Sequence, residues 1–211
     1  MKNVLKKVIL LHLVSMIVVS CSSIKPIDKY ANPQKVLLVI DMQLDFIGEN
    51  AKMPIENQVE DLIQTVNNII DDYNSKGYKI IYVNSAFSKY AIANFFRNKA
   101  AVEGTTGTEI DPRIKIISEN IFEKKHSSAF TNKDFENYLI NNQINELYIT
   151  GLMAEGCVYK TAVGALDRKY IVNYIENAVG VWKMKNLETT KEKLNKKGAK
   201  IIKYETKNAS R

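Results

Sequence analysis

The sequence predicts an α/β fold: three layers, αβα, with an open, mostly parallel six-stranded sheet carrying helices on both faces. Three observations point there. Six short runs rich in β-branched and aromatic residues alternate with longer stretches of helical period. The first run is almost continuously apolar, as a strand buried on both faces must be. The helical stretch after it ends at a glycine. A chain of 211 residues with 45% hydrophobic content buries one good core, so one compact domain is expected.

The elements follow in order. "KVLLVID", residues 35–41, closes a buried strand on a carboxylate, and "NQVEDLIQTVNNIIDDYNSKG" then repeats apolar residues at Val59, Leu62, Ile63, Val66, Ile69 and Ile70, a helix with one apolar face. "YKIIYVNS" and "NIFEKK" are the second and third strands, "TNKDFENYLINNQ" a helix opened by a capping residue, and "ELYITG" the fourth strand. After it Val158, Ala162, Ala165 and Leu166 mark a helical face, and "YIVNYIENA", "NLETTKEKLNKKG" and "AKIIKYE" complete the alternation. Such βαβ repetition makes a Rossmann-like sheet, whose ligands bind in the crevice at the strands' carboxyl ends. Asp41, Asn84 and Lys124 end the first three strands, and Gly151 precedes the loop carrying Cys157. Four sites distant in the chain are thereby expected to converge.

A cysteine attacks a carbonyl as its thiolate. A helix N-terminus and a neighbouring cation lower a thiol's pKa, and a carboxylate within reach accepts its proton. Cys157, Lys124 and Asp41 supply those parts. The rivals are a structural cysteine, Lys125 and Asp45. Adjacent strand residues face opposite sides, so one lysine alone points into the crevice, and spacing to Phe130 favours Lys124; Asp45 reads as a loop-stabilising residue.

Residues 1–21 read as a targeting segment: Lys2, Lys6 and Lys7 precede "VILLHLVSMIVV", too short to span a bilayer comfortably. "VVSCSS" resembles a bacterial lipobox, which implies lipidation of Cys21, residues 22–34 as a polar tether, and an exported, membrane-anchored product on the periplasmic or cell-surface side; an uncleaved anchor is the alternative. Removing the segment takes the formal charge from +7 to +4, and the remaining lysines are scattered, so no nucleic-acid partner is expected. The chain has two cysteines; with Cys21 acylated, Cys157 stays a free thiol.

"LLVIDMQLDF", "KKHSSAF" and "TGLMAEGCVYKTAVGAL" together resemble the isochorismatase-like cysteine hydrolase superfamily, over residues 35–206 as the hydrolase domain. The resemblance implies Asp41 as general base, Lys124 as the cation that stabilises thiolate and orients the carboxylate, and Cys157 as nucleophile. It implies an oxyanion hole from the backbone N–H groups of Met153 and Cys157, with a cis peptide between Leu152 and Met153. The activity it implies is hydrolysis of a C–N bond in a small amide, carbamoyl or ureido substrate through a thioester. Isochorismate (vinyl ether) hydrolysis, or a lipid-anchored small-molecule-binding protein without turnover, are the alternatives. Members include metal-bearing nicotinamidases, but this chain has two histidines, His12 and His126, and "SAFSKY" where a histidine-bearing motif is expected. We therefore expect no metal and no other cofactor. Relatives form dimers or larger assemblies, which leaves a homo-oligomer open. Phe46, Phe87, Tyr90, Phe95 and Trp182 are candidates to shape a substrate pocket, and the connection around residues 87–98 to act as a lid. His126, Glu155-Gly156 and Asn177 depart from the family pattern and bear on specificity more than mechanism.

Overall fold

The computed structural model describes residues 30–56 and 59–205. Its framework is β1 (Gln34–Ile40), α1 (Val59–Ser75), β2 (Lys79–Ser85), β3 (Ile121–Lys124), α2 (Lys133–Asn141), β4 (Ile144–Gly151), α3 (Tyr159–Asp167), β5 (Ile171–Val179), α4 (Leu187–Lys196) and β6 (Lys200–Ile202). The six strands form one wholly parallel sheet in the order β3-β2-β1-β4-β5-β6.

β1 explains why its apolar run is continuous. Val36, Leu38 and Ile40 pack into one core with Phe135 and Leu139 of α2, Ala162 and Ala165 of α3 and Leu194 of α4. Leu37 and Val39 face the opposite core, where α1 lays down Leu62, Ile63, Val66, Ile69 and Ile70. Alternation along one strand therefore feeds two layers, and every position from Val36 to Ile40 is apolar and buried, while Gln34 and Lys35 at the strand's start are exposed. α2 is capped by Asn132, whose side-chain oxygen accepts from the N–H groups of Asp134 (2.8 Å) and Phe135 (3.1 Å).

Several boundaries differ from the sequence expectation. β4 begins two residues earlier, at Ile144; β6 shrinks to three residues; and β1 begins inside the stretch expected to be tether. The last difference has a local cause: Gln143 accepts from Gln34 N through its main-chain oxygen (2.8 Å) and from Asn32 N through its side chain (3.1 Å), so this segment docks on the turn before β4. Cys21 and the leader lie outside the described residues. Among the described residues, no helix is long and apolar enough to cross a membrane.

The chain winds outward in one direction through β2 and β3 and in the other through β4, β5 and β6. The switch falls between β1 and β4, and there the connections leave in opposite directions and open a crevice at the strands' carboxyl ends.

Candidate active site

The two strands flanking that crevice deliver the first two groups. Asp41 follows β1 with a φ of 54°, a left-handed conformation unusual for a residue with a side chain, costing on the order of 1–3 kcal/mol. It is held by its own N–H, which donates to Val83 O at 2.8 Å, and by its carbonyl, which accepts from Gln43 N at 2.8 Å. Across the switch, β4 ends at Gly151, where φ is 105° and a β-carbon would stand 2.0 Å from Ile40 O. Glycine lets β4 close on β1, and Leu152 N then bonds Ile40 O at 2.8 Å. The Leu152–Met153 peptide is cis. A π-type turn over Ala154–Val158 carries Cys157 to the start of α3, where it packs against both cores.

Lys124 is the last residue of β3, fully buried, and its Nζ lies 2.9 Å from Asp41 Oδ2. The neighbouring Lys125 points the other way, into solvent, and pairs with Glu103 at 3.0 Å. Register brings a fourth group that sequence reasoning missed. Ser85 lies opposite Lys124 in the β2–β3 pairing; its Oγ accepts from Lys124 Nζ at 2.5 Å, donates to both Asp41 oxygens at 3.0 and 3.1 Å, and stands 4.0 Å from Cys157 Sγ. Asn84, expected to be the converging residue of β2, is one position too early and faces away, because strand side chains alternate. Gln43 was missed as well. Buried, it donates to Ser85 O (2.8 Å) and Thr108 O (2.7 Å) and accepts from Ser85 N (2.9 Å), locking the β1 and β2 ends together.

The turn after β3 is held by small residues. Thr161 of α3 accepts from Ala129 N at 3.0 Å, and Gly164 lets that helix approach Phe130, whose ring would lie 3.0 Å from an added β-carbon. Asp45 is a loop anchor: it accepts from Ala101 N at 2.8 Å and pairs with Lys52 at 3.2 Å. Asn177 ties β5 to the last segment through Tyr204, and His126 is exposed.

Electrostatics correct one expectation. Burial, then the negative charge of Asp41, push the Cys157 thiol up to about 11, and Lys124 only partly opposes them. The resting sulfur therefore keeps its proton, where the sequence suggested a thiol depressed by its cation. For Lys124, burial works against the ammonium, but the Asp41 carboxylate and then Cys157 outweigh it and hold the lysine above its ordinary value. The arrangement is a buried ion pair beside a protonated thiol. It can take that proton when an electrophile arrives and return it to a leaving group. Among the described residues, the Met153 N–H has no hydrogen-bond partner, which leaves an uncommitted backbone donor in the turn that leads to Cys157.

Of the five aromatic residues considered for a pocket, Phe46 and Phe87 are buried beside the site. Tyr90 and Phe95 are 82% and 85% exposed, on either side of a one-turn 3₁₀ segment, Ile92–Asn94, so the single chain does not bury them at the site. Trp182 is half-exposed at the rim, its N–H donating to Glu155 at 3.3 Å. Among the described residues no group of three or more His, Cys, Asp or Glu side chains could hold a metal ion. The carboxylate and thiol at the site already engage Lys124 and each other, so the residues present do not fit a metal centre.

The isochorismatase domain family matches residues 35–206. The chain is 25% identical over 145 residues to a probable inactive nicotinamidase of Arabidopsis thaliana, 64% of this chain and 74% of that one. It is 27% identical over 132 residues to N-carbamoylsarcosine amidase of an Arthrobacter species, 53% of this chain and 47% of that one. Among solved structures, the pyrazinamidase of Pyrococcus horikoshii in complex with zinc superposes with a TM-score of 0.71 at 26% identity, over 82% of this chain and all of that one. An isochorismatase-like hydrolase from Alkaliphilus metalliredigens gives 0.73 at 25% identity, over 81% and 94%.

Proposed function

Because the chain belongs to the isochorismatase domain family, we propose that it is a cysteine hydrolase that cleaves a C–N bond of a small amide, carbamoyl or ureido compound. The observation that carries this reading is the convergence of Asp41, Lys124 and Cys157 from three strand ends, with Ser85 bridging them.

The chemistry follows from that placement. As the substrate carbonyl reaches the sulfur, Asp41 takes the thiol proton and the S–C bond forms. The oxyanion that develops is met by the backbone N–H groups of Met153 and Cys157. Collapse breaks the C–N bond, the proton on Asp41 passes to the departing nitrogen, and a thioester remains. Water then gives a proton to Asp41, attacks the thioester and releases the acid or carbamate, with the sulfur reprotonated. Lys124 stays charged throughout and keeps the carboxylate aimed. In this reading the chain works as an exported lipoprotein anchored through Cys21, which a mass shift at Cys21 or globomycin-sensitive processing tests.

The test of activity is ammonia release from a panel of small amides and ureas. Wild type releases ammonia from at least one compound and Cys157→Ala from none. Equal rates would remove the nucleophile from the account. A protein that binds panel compounds without turning any over would be the small-molecule-binding alternative, which the probable inactive plant relative makes concrete. Turnover of isochorismate that survives Cys157→Ala would favour vinyl ether hydrolysis.

A further inference from the structure

One charged group beside the site has no task in that mechanism. Arg97 lies in the connection between β2 and β3, and its guanidinium carbon stacks 3.6 Å from the centroid of the Phe87 ring. Lys124 Nζ is 5.6 Å from the same centroid, so one buried ring adjoins both the ion pair and this second cation. The position is built. Arg97 Nη2 donates to Asn94 Oδ1 at 2.8 Å, and Asn94 is itself buried, its amide donating to the carbonyls of Ser88 (2.9 Å) and Lys89 (3.3 Å).

The guanidinium nonetheless lacks an anion. Its Nε is buried with no acceptor, and among the described residues no carboxylate lies within ion-pair distance of it. The other two described arginines show the contrast: Arg113 pairs with Asp111 and Glu60, and Arg168 with Glu136. Desolvation accordingly lowers Arg97's pKa, and a thiolate at Cys157 would partly offset it. A half-buried cation stacked on an aromatic wall, with one Nη2 hydrogen held by Asn94 and the other Nη hydrogens without a partner among the described residues, is the receptor that a planar carboxylate fits.

We propose that Arg97 receives a carboxylate of the substrate, and that the compounds hydrolysed are amido or ureido acids rather than neutral amides. The substrate class rests on the hydrolase reading above; the anion site itself does not. Arg97 would orient the carboxylate end while Cys157 meets the carbonyl at the other.

Two alkylating agents of the same thiol separate the two claims. Iodoacetate carries a carboxylate and iodoacetamide does not; both form the same S–CH₂ bond with loss of iodide and need no turnover. The ratio of their rate constants at Cys157, iodoacetate over iodoacetamide, is expected to fall about 10-fold or more in Arg97→Gln and to be largely kept in Arg97→Lys, which preserves the charge. Equal ratios in wild type, R97Q and R97K would overturn the anion site. Once the panel yields a turned-over compound, the preference in kcat/KM for succinamate over its methyl ester should drop about 10–100-fold in R97Q. An unchanged preference, with the alkylation ratio lowered, would overturn the substrate class and leave the anion site standing.

Discussion

The carboxyl edge of the sheet and the long connection between β2 and β3 meet at the same crevice, yet they are built on opposite terms. At the edge the buried side chains of the site are answered by partners: Lys124 by Asp41 and Ser85, Gln43 by Ser85 and Thr108. The connection is tied back on either side of its exposed stretch, Phe87 to Ala101 and Glu103 and Asp45 to Ala101, while between them Tyr90, Ile92, Phe95 and Phe96 stand largely in solvent. The strand ends thus hold the groups of the proposed chemistry, and the connection holds the cation proposed to select. One scaffold can in this way keep its chemistry while the compound it accepts changes.

If that division is right, substitutions at the edge cost activity or folding heavily and substitutions in the connection cost little of either. The largest effect is expected for Asp41→Asn, which removes the proton acceptor: ammonia release should fall by about 10³-fold with the fold retained by circular dichroism. Lys124→Met leaves the Asp41 carboxylate buried without its cation, and chemical denaturation should show a loss of about 3–5 kcal/mol. Gly151→Ala places a β-carbon against Ile40 O at a φ of 105°, and the same measurement should show a loss of about 2 kcal/mol or more. Raised folded-state pKa values at Cys157 and Lys124 mean that their contribution to stability is complete below the thiol's ordinary value of 9.0 and declines as pH rises through about 11; Cys157→Ala should flatten the first part of that decline. The smallest effect belongs to the connection, where Ile92→Ser and Phe95→Ser should change stability by no more than about 0.5 kcal/mol.

The same division explains what could be read from sequence. The sheet was readable because β1 must be apolar from Val36 to Ile40 and α1 must repeat its apolar face, and because the candidate residues sit at or just beyond strand ends. Lys124 could be chosen over Lys125 since a strand shows only one of two neighbours to the crevice. Ser85 escaped because Asn84, one position earlier, was taken as the residue that β2 turns to the crevice, which exchanges one face for the other. Gln43 and Arg97 escaped for another reason. Their partners are a carbonyl 65 residues away and a ring in an irregular loop, and neither leaves a periodic trace. The exposed aromatics were misjudged for want of any helical or strand period in their segment. The thiol's state depends on burial weighed against two opposing charges, a balance that spacing along a chain does not contain.

The claim at the centre is that the Asp41 carboxylate and Lys124 together govern the Cys157 sulfur, and the pH dependence of Cys157 alkylation by iodoacetamide, in wild type and in Asp41→Asn, tests it without knowledge of the substrate. In wild type the rate should climb through the alkaline range with a midpoint of about 11. With the carboxylate gone and Lys124 still beside the sulfur, the midpoint should move down and alkylation near pH 8 should become faster, in the same variant that has lost turnover. Superimposable profiles for the two proteins would mean that the carboxylate does not govern the sulfur, and the mechanism would fail.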